Sequence, residues 1–240
     1  MCRHFAYLGP PVALSTLLFD APHALRTQAR TPHHQAVGRT NPDGWGVAWY
    51  PDGGTEPERY GSTTWIWADD GFGADAKRAG AIIAGARLAS PGTTLDVRNN
   101  APFVAGSWAF SLNGFGFRDG REPVLRAALS GARRGALRGD TDSEVLFGLV
   151  LDRLDEGADP AGALRAVTAL VDPGDDVQLN LLLTDGTTVV ATAWGNSLFV
   201  RSGDDHVVLA SEPLDDNPAW QPVPDRSLVD GPHIELLGGS

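Results

Sequence analysis

The chain has a single cysteine, Cys2, among its 240 residues. It cannot close an internal disulfide, so nothing in it calls for an oxidising compartment, and a cytoplasmic location is expected. Long apolar runs are missing as well. Stretches such as Leu179–Leu183 fall far short of a bilayer span, and the opening Met-Cys-Arg-His lacks the apolar core and cleavage site of a secretion signal. Positive charge is scarce: 19 Lys and Arg stand against 30 Asp and Glu, for a net charge of −11. A surface that coats phosphates or anionic lipid needs the opposite balance, so neither nucleic acid nor a membrane is expected as a partner. The six histidines, His4, His23, His33, His34, His206 and His233, have no cysteine set beside them and no HExxH spacing. No metal site is expected, and His33 and His34 read as parts of a polar loop.

What is present is enough for a sizeable core. Hydrophobic residues make up 42% of the chain, and 29 Gly with 17 Pro stay below the level of a disordered sequence. No internal repeat and no long linker divides the chain, which reads as one domain over residues 1–240, a core over about 2–210 and a Pro/Asp-rich tail over 211–240. Cys2–Leu8 has the mixture of a strand that Pro10-Pro11 ends. Val12–Phe19 and Ala24–Ala29 read as short helices, and Gly44–Tyr50, Gly80–Leu88 and Trp108–Leu112 as strands. Glu122–Leu129, Asp142–Leu154 and Pro160–Val171 carry apolar residues at helical spacing. Gln178–Thr184, Thr188–Trp194, Ser197–Arg201 and His206–Ala210 follow as strands joined by turns, and the tail from Glu212 onward reads as irregular surface structure. Strands at both ends with helices between them predict packed sheets with helices on their outer faces.

The place of the cysteine is the strongest chemical signal. A small residue after Met1 is the setting in which the initiator methionine is removed, and removal leaves Cys2 with a free α-amine. An unperturbed α-amine titrates at roughly 7.7–8.0 and a thiol at roughly 8.5, so one residue can supply both nucleophile and base. Taken alone, such a cysteine is more often an inert core residue. Other fragments, however, stand in a telling order: Asp43-Gly44-Trp45-Gly46, Ala86-Arg87-Leu88-Ala89-Ser90, Asn99-Asn100-Ala101-Pro102-Phe103, Phe110-Ser111-Leu112-Asn113-Gly114 and Thr141-Asp142-Ser143-Glu144. With Cys2 they resemble the class II glutamine amidotransferases, over about residues 1–210. The opening Cys-Arg-His-x-x-Tyr-Leu-Gly-Pro-Pro, the segment Ser211-Glu212-Pro213-Leu214-Asp215-Asp216, Trp220 and Val223-Pro224-Asp225 are similar to the stand-alone amidohydrolases of ergothioneine biosynthesis within that family.

The resemblance implies an α+β fold, the four-layer αββα N-terminal-nucleophile hydrolase sandwich of two mainly antiparallel sheets. It also implies a cysteine-dependent removal of a γ-glutamyl group from γ-glutamyl-hercynylcysteine S-oxide through a glutamyl thioester, with no metal and no other cofactor. Cys2 is then the nucleophile, and Asn113 and Gly114 hold the oxyanion. Without the pattern, Asn-Gly reads as a hairpin turn. A γ-glutamyl group presents an α-carboxylate and an α-ammonium. Arg87 matches the first, as a guanidinium fits two oxygens better than an ammonium does. Asp142 matches the second, although Thr141-x-x-Glu144 also reads as a capping box that places an Asp in a first helical turn in any case. Ser90 and Leu88 fall in the loop that lines the glutamyl site.

Arg3 is positioned either to favour a thiolate or to form an ordinary salt bridge. Trp45, Trp49, Trp65, Trp67 and Tyr7 are the aromatic faces offered for the quaternary ammonium of the leaving amine. The partner expected is a small γ-glutamyl molecule, with room for a homo-oligomer. Two alternatives stay open: a glutaminase subunit that delivers ammonia to a partner synthase, and a glutamyl-binding relative without catalysis.

Overall fold

The protein is described by a computed structural model over residues 2–35, 40–90, 92–117, 120–171, 177–231 and 233–237. Met1, whose removal the sequence predicts, lies outside these residues, as does part of the loop expected over Thr31–Asn41. The strands are β1 (Arg3–Ala13), β2 (Trp45–Tyr50), β3 (Glu58–Ser62), β4 (Arg78–Ala86), β5 (Phe103–Ala105), β6 (Trp108–Phe115), β7 (Gln178–Thr184), β8 (Val189–Ala193), β9 (Phe199–Ser202), β10 (Val207–Ala210), β11 (Gln221–Pro222), β12 (Ser227–Asp230) and β13 (His233–Leu236). The helices are α1 (Leu25–Arg30), α2 (Glu122–Ala128), α3 (Gly131–Ala136), α4 (Asp142–Asp155) and α5 (Pro160–Val171).

Alternation along β1 explains the layering. Phe5 and Tyr7 point to an outer core shared with Leu18 and Leu25, while Ala6 points to an inner core shared with Leu182 and Ala191 of the facing sheet. β1 sits inside a seven-stranded sheet of order β11-β9-β10-β1-β4-β2-β3, and the facing sheet has six strands in the order β13-β12-β8-β7-β6-β5. All the pairings are antiparallel. On the far side of the second sheet, α4 and α5 bury Leu146, Leu149, Leu164 and Val167 against Phe110, Leu112 and Leu181. Helix, sheet, sheet, helix is the expected αββα sandwich.

Several local expectations change. Pro10-Pro11 does not end β1: the strand runs to Ala13, with its register on β4 shifting between Leu8 and Val12. That irregularity accommodates two residues with no N–H to give to the ladder. Ser15–Asp20 contains a five-residue π-helical turn, Thr16–Asp20, rather than an α-helix from Val12. The tail is not irregular either, since β12 pairs with β8 and β13, and β11 pairs with β9. Among the described residues no helix is long and apolar enough to cross a membrane.

Candidate active site

Register carries Cys2 to its place. β1 lies antiparallel to β4 with Arg3 opposite Ala86, so the half-buried Cys2 at the start of β1 comes beside Arg87 at the end of β4. A cleft with about 520 Å³ of empty space opens there, lined by Cys2, Arg87, Leu88, Ser90, Gly114 and Asp142. Six of the seven residues expected at the site therefore meet. Asn113 is the exception: it is fully buried, and its side chain lies between the sheets with Nδ2 3.5 Å from Ser211 Oγ. An amide nitrogen has two protons, and the second has no acceptor among the described residues.

Arg87 is buried and held from behind. Its Nη2 donates to Thr93 Oγ1 at 2.8 Å and its Nη1 to the Thr94 carbonyl at 3.1 Å. Thr94 is fixed in turn by Asp140, whose carboxylate accepts from the Thr94 hydroxyl at 2.7 Å and from Asn99 Nδ2 at 2.7 Å. The Asp43-Gly44 pair anchors the start of the same loop: Asp43 N–H donates to the Arg87 carbonyl, Arg87 N–H to the Gly44 carbonyl, and Ala89 N–H to Asp43 Oδ2. Gly44 has φ +106°, and a Cβ there would strike the Asn100 side chain, so this position needs glycine. All the Arg87 acceptors are neutral, and among the described residues no carboxylate pairs with it.

Asp142 is the first residue of α4. Thr141 Oγ1 accepts from Glu144 N–H at 3.3 Å, which is half of the expected capping box. Glu144 does not close the other half: its carboxylate accepts from the N–H groups of Arg138 and Gly139, both at 2.7 Å. The Asp142 carboxylate accepts from Gly116 N–H at 2.6 Å and Ser143 N–H at 2.7 Å. Burial pushes its pKa above the ordinary 3.8, against the pull of those N–H donors, and no cation pairs with it among the described residues.

Behind Cys2, the strand is tied to the facing sheet. Ser211 Oγ accepts from His4 N–H at 3.0 Å, and the same oxygen is the Asn113 contact. The His4 ring is fully buried with Nδ1 3.1 Å from Ser111 Oγ, and burial with the nearby Arg3 charge pushes its pKa down to about 3. Arg3 takes the ordinary role: its Nη1 pairs with Glu212 Oε1 at 2.9 Å. Of the aromatic candidates, Trp45, Trp49 and Tyr7 belong to the outer core and Trp65 lies against Trp67 in a tilted pair at 5.5 Å, and none of the five lines the cleft. Sequence reasoning did not single out Thr93 or Asp140, for no spacing rule ties a loop threonine to Arg87 before the loop has closed.

The class-II glutamine amidotransferase family matches residues 16–202 of this chain. A gamma-glutamyl-hercynylcysteine sulfoxide hydrolase of Mycolicibacterium smegmatis is 38% identical over 96% of this chain and 95% of its own length. The protein of the same name from Mycobacterium tuberculosis is 37% identical over 96% and 92%. Among solved structures, a glutamine aminotransferase class-II domain protein from Silicibacter pomeroyi superposes with a TM-score of 0.71 at 25% identity, covering 99% of this chain and all of that one. The glutamine phosphoribosylpyrophosphate amidotransferase of B. subtilis shares the fold at a TM-score of 0.73 and 16% identity, with this chain spanning 50% of it.

Proposed function

The chain belongs to the class-II glutamine amidotransferases, and from that premise we propose that it is a cysteine amidohydrolase. Its substrate is γ-glutamyl-hercynylcysteine S-oxide, and its products are glutamate and hercynylcysteine S-oxide. It acts as one domain and in the cytoplasm. The observation that carries this reading is a pair of missing counter-ions. The cleft that holds the Cys2 thiol also holds a guanidinium with no carboxylate partner and a half-buried carboxylate with no cation partner among the described residues. The α-carboxylate and α-ammonium of a glutamyl group are the two charges that complete it, and desolvated charges need such partners. The 38% identity to a hydrolase of that substrate over nearly the whole chain supports the identity of the leaving amine.

In this mechanism Met1 is first removed, and the freed Cys2 α-amine takes the thiol proton. The thiolate attacks the γ-carbonyl carbon, and the carbonyl electron pair moves onto oxygen. Gly114, which lines the cleft, holds that oxyanion through its N–H; Asn113 is the second donor proposed, and its amide, buried against Ser211 Oγ, has to turn its second proton to the cleft to serve. A donor of this kind is worth about 10²–10³ in rate. The Cys2 ammonium then gives its proton to the leaving nitrogen as the C–N bond breaks. Water, deprotonated by the same amine, attacks the thioester, the C–S bond breaks, and glutamate leaves.

The test is glutamate release from the sulfoxide and from glutamine by the purified protein. The reading expects a clear preference for the sulfoxide and loss of both activities in Cys2→Ala. Equal rates on the two substrates, or turnover by Cys2→Ala, would overturn it.

A further inference from the structure

The segment after Ser211 walls a second cavity, separate from the cleft, with about 690 Å³ of empty space including its mouth. Its lining includes the Trp220 indole, the His23 and His33 imidazoles, the Glu212 and Asp216 carboxylates and the Gln28 amide. Glu212 is neutralised by Arg3, and the adjoining Asp215 by Arg201. Asp216 is different. Its partner is the His23 imidazole at 2.9 Å, and its side chain is 86% exposed. Among the described residues it is the lining carboxylate that pairs with no Lys or Arg.

One buried polar atom of the lining residues has no partner among the described residues. Gln28 is 2% exposed and commits its Nε2 to the carbonyls of His23 and Glu212, which leaves Oε1 with no donor. The Trp220 indole is fixed in position, as its Nε1 donates to Asp215 at 2.9 Å and the Arg201 guanidinium stacks on it at 5.0 Å.

The cavity wall is linked to the backbone of the nucleophile. Arg3 Nε donates to the Cys2 carbonyl at 2.9 Å while Nη1 reaches Glu212 at 2.9 Å, so a single guanidinium separates the Cys2 backbone from the cavity wall. The chemistry at Cys2 uses neither Asp216 nor Trp220.

Resting on the function proposed above, we infer that this cavity is the subsite for the far end of the leaving amine. It takes an imidazole that bears a quaternary ammonium, with the ammonium against Trp220 and Asp216 as its counter-charge. A quaternary ammonium has no proton to donate, so an aromatic face and a nearby carboxylate are what can recognise it. A methylamine leaving group is too short to reach the cavity.

The experiment compares kcat/KM for γ-glutamyl-hercynylcysteine S-oxide and for γ-glutamyl methylamide in the wild type, Asp216→Asn and Trp220→Leu. Each variant is expected to lower the ratio of the two values about tenfold, the size of one cation–π or ion contact, through KM for the sulfoxide. Release of glutamate from the sulfoxide with the ratio unmoved in both variants overturns this subsite and leaves the parent reading standing. Equal losses on both substrates assign the two residues to folding and overturn it as well. No release from the sulfoxide by the wild type overturns the parent reading, and this one with it.

Discussion

Arg87 and Asp142 are held by hydrogen bonds and have no counter-charge among the described residues, so under the proposed function they are the residues whose substitution reports substrate binding. Arg87→Lys keeps the charge but loses the fork that spans two carboxylate oxygens and the bonds to Thr93 and Thr94. It is expected to raise KM about tenfold or more with a smaller change in kcat, measured by steady-state glutamate release. Asp142 must be ionised to meet an ammonium, and burial raises its pKa above 3.8. As pH falls through that raised value the carboxylate takes a proton and the attraction is lost. The acid limb of kcat/KM, which reports the free protein, is therefore expected above the ordinary carboxylate range. In Asp142→Asn that limb disappears and kcat/KM is low at every pH. Both residues line the cleft that holds Cys2, and both were singled out in the sequence by their place in an ordered pattern. Their supports were not: Thr93 and Asp140 reach the site through loop closure, which leaves no periodic trace.

At the scale of elements, the spacing of β6 and β7 decides whether the site exists. Asn113-Gly114 has the residue types of a hairpin turn, yet β6 continues through it to Phe115, with Asn113 opposite Asn180 and Gly114 opposite Leu179. Glycine is needed there for close approach rather than for turning, as a Cβ on Gly114 would collide with the Gln178 carbonyl oxygen. Gly114→Ala is expected to push the two strands apart at a cost of about 1–3 kcal/mol and to lower kcat more than it raises KM. Thermal unfolding and kinetics on the same sample check this, and an unchanged Tm would contradict it. β7 and α5 match their expected bounds to the residue, because their apolar periodicity is continuous. β3, β5 and α3 went unread. They are short, and β3 and β5 are edge strands that exist through the neighbour they pair with.

For the whole molecule, the tail is the largest departure from what composition implies. Its prolines and aspartates read as surface loop, but β12 fills the place between β8 and β13 and buries Leu228 and Val229 at 2% and 0% exposure. Asp225 accepts from Gly195 N–H at 2.7 Å, and Glu212 binds Arg3 and the N–H groups of His33 and His34. The tail thus joins the start of β1 to both sheets. A four-residue strand between loops carries too short an alternation to be told from a loop by pattern alone. Removing residues 223–240 forfeits about 1.5–3 kcal/mol for each of the buried Val223, Leu228 and Val229 side chains and bares the β8 edge. The shortened protein is expected to unfold at a lower temperature and to self-associate, as measured by calorimetry and size-exclusion chromatography. Retention of the full Tm would contradict the structural role given to the tail.

The central claim is that Cys2, trimmed of Met1, carries the glutamyl group through the reaction. Its most direct test is intact and peptide mass measurement on the wild-type protein, mixed with the sulfoxide substrate and quenched in acid during the first turnover. The account predicts an N-terminus that begins at Cys2 and a transient gain of one glutamyl group on that peptide, absent in Cys2→Ala. A glutamyl adduct on any other residue, or turnover by protein that retains Met1, would contradict it.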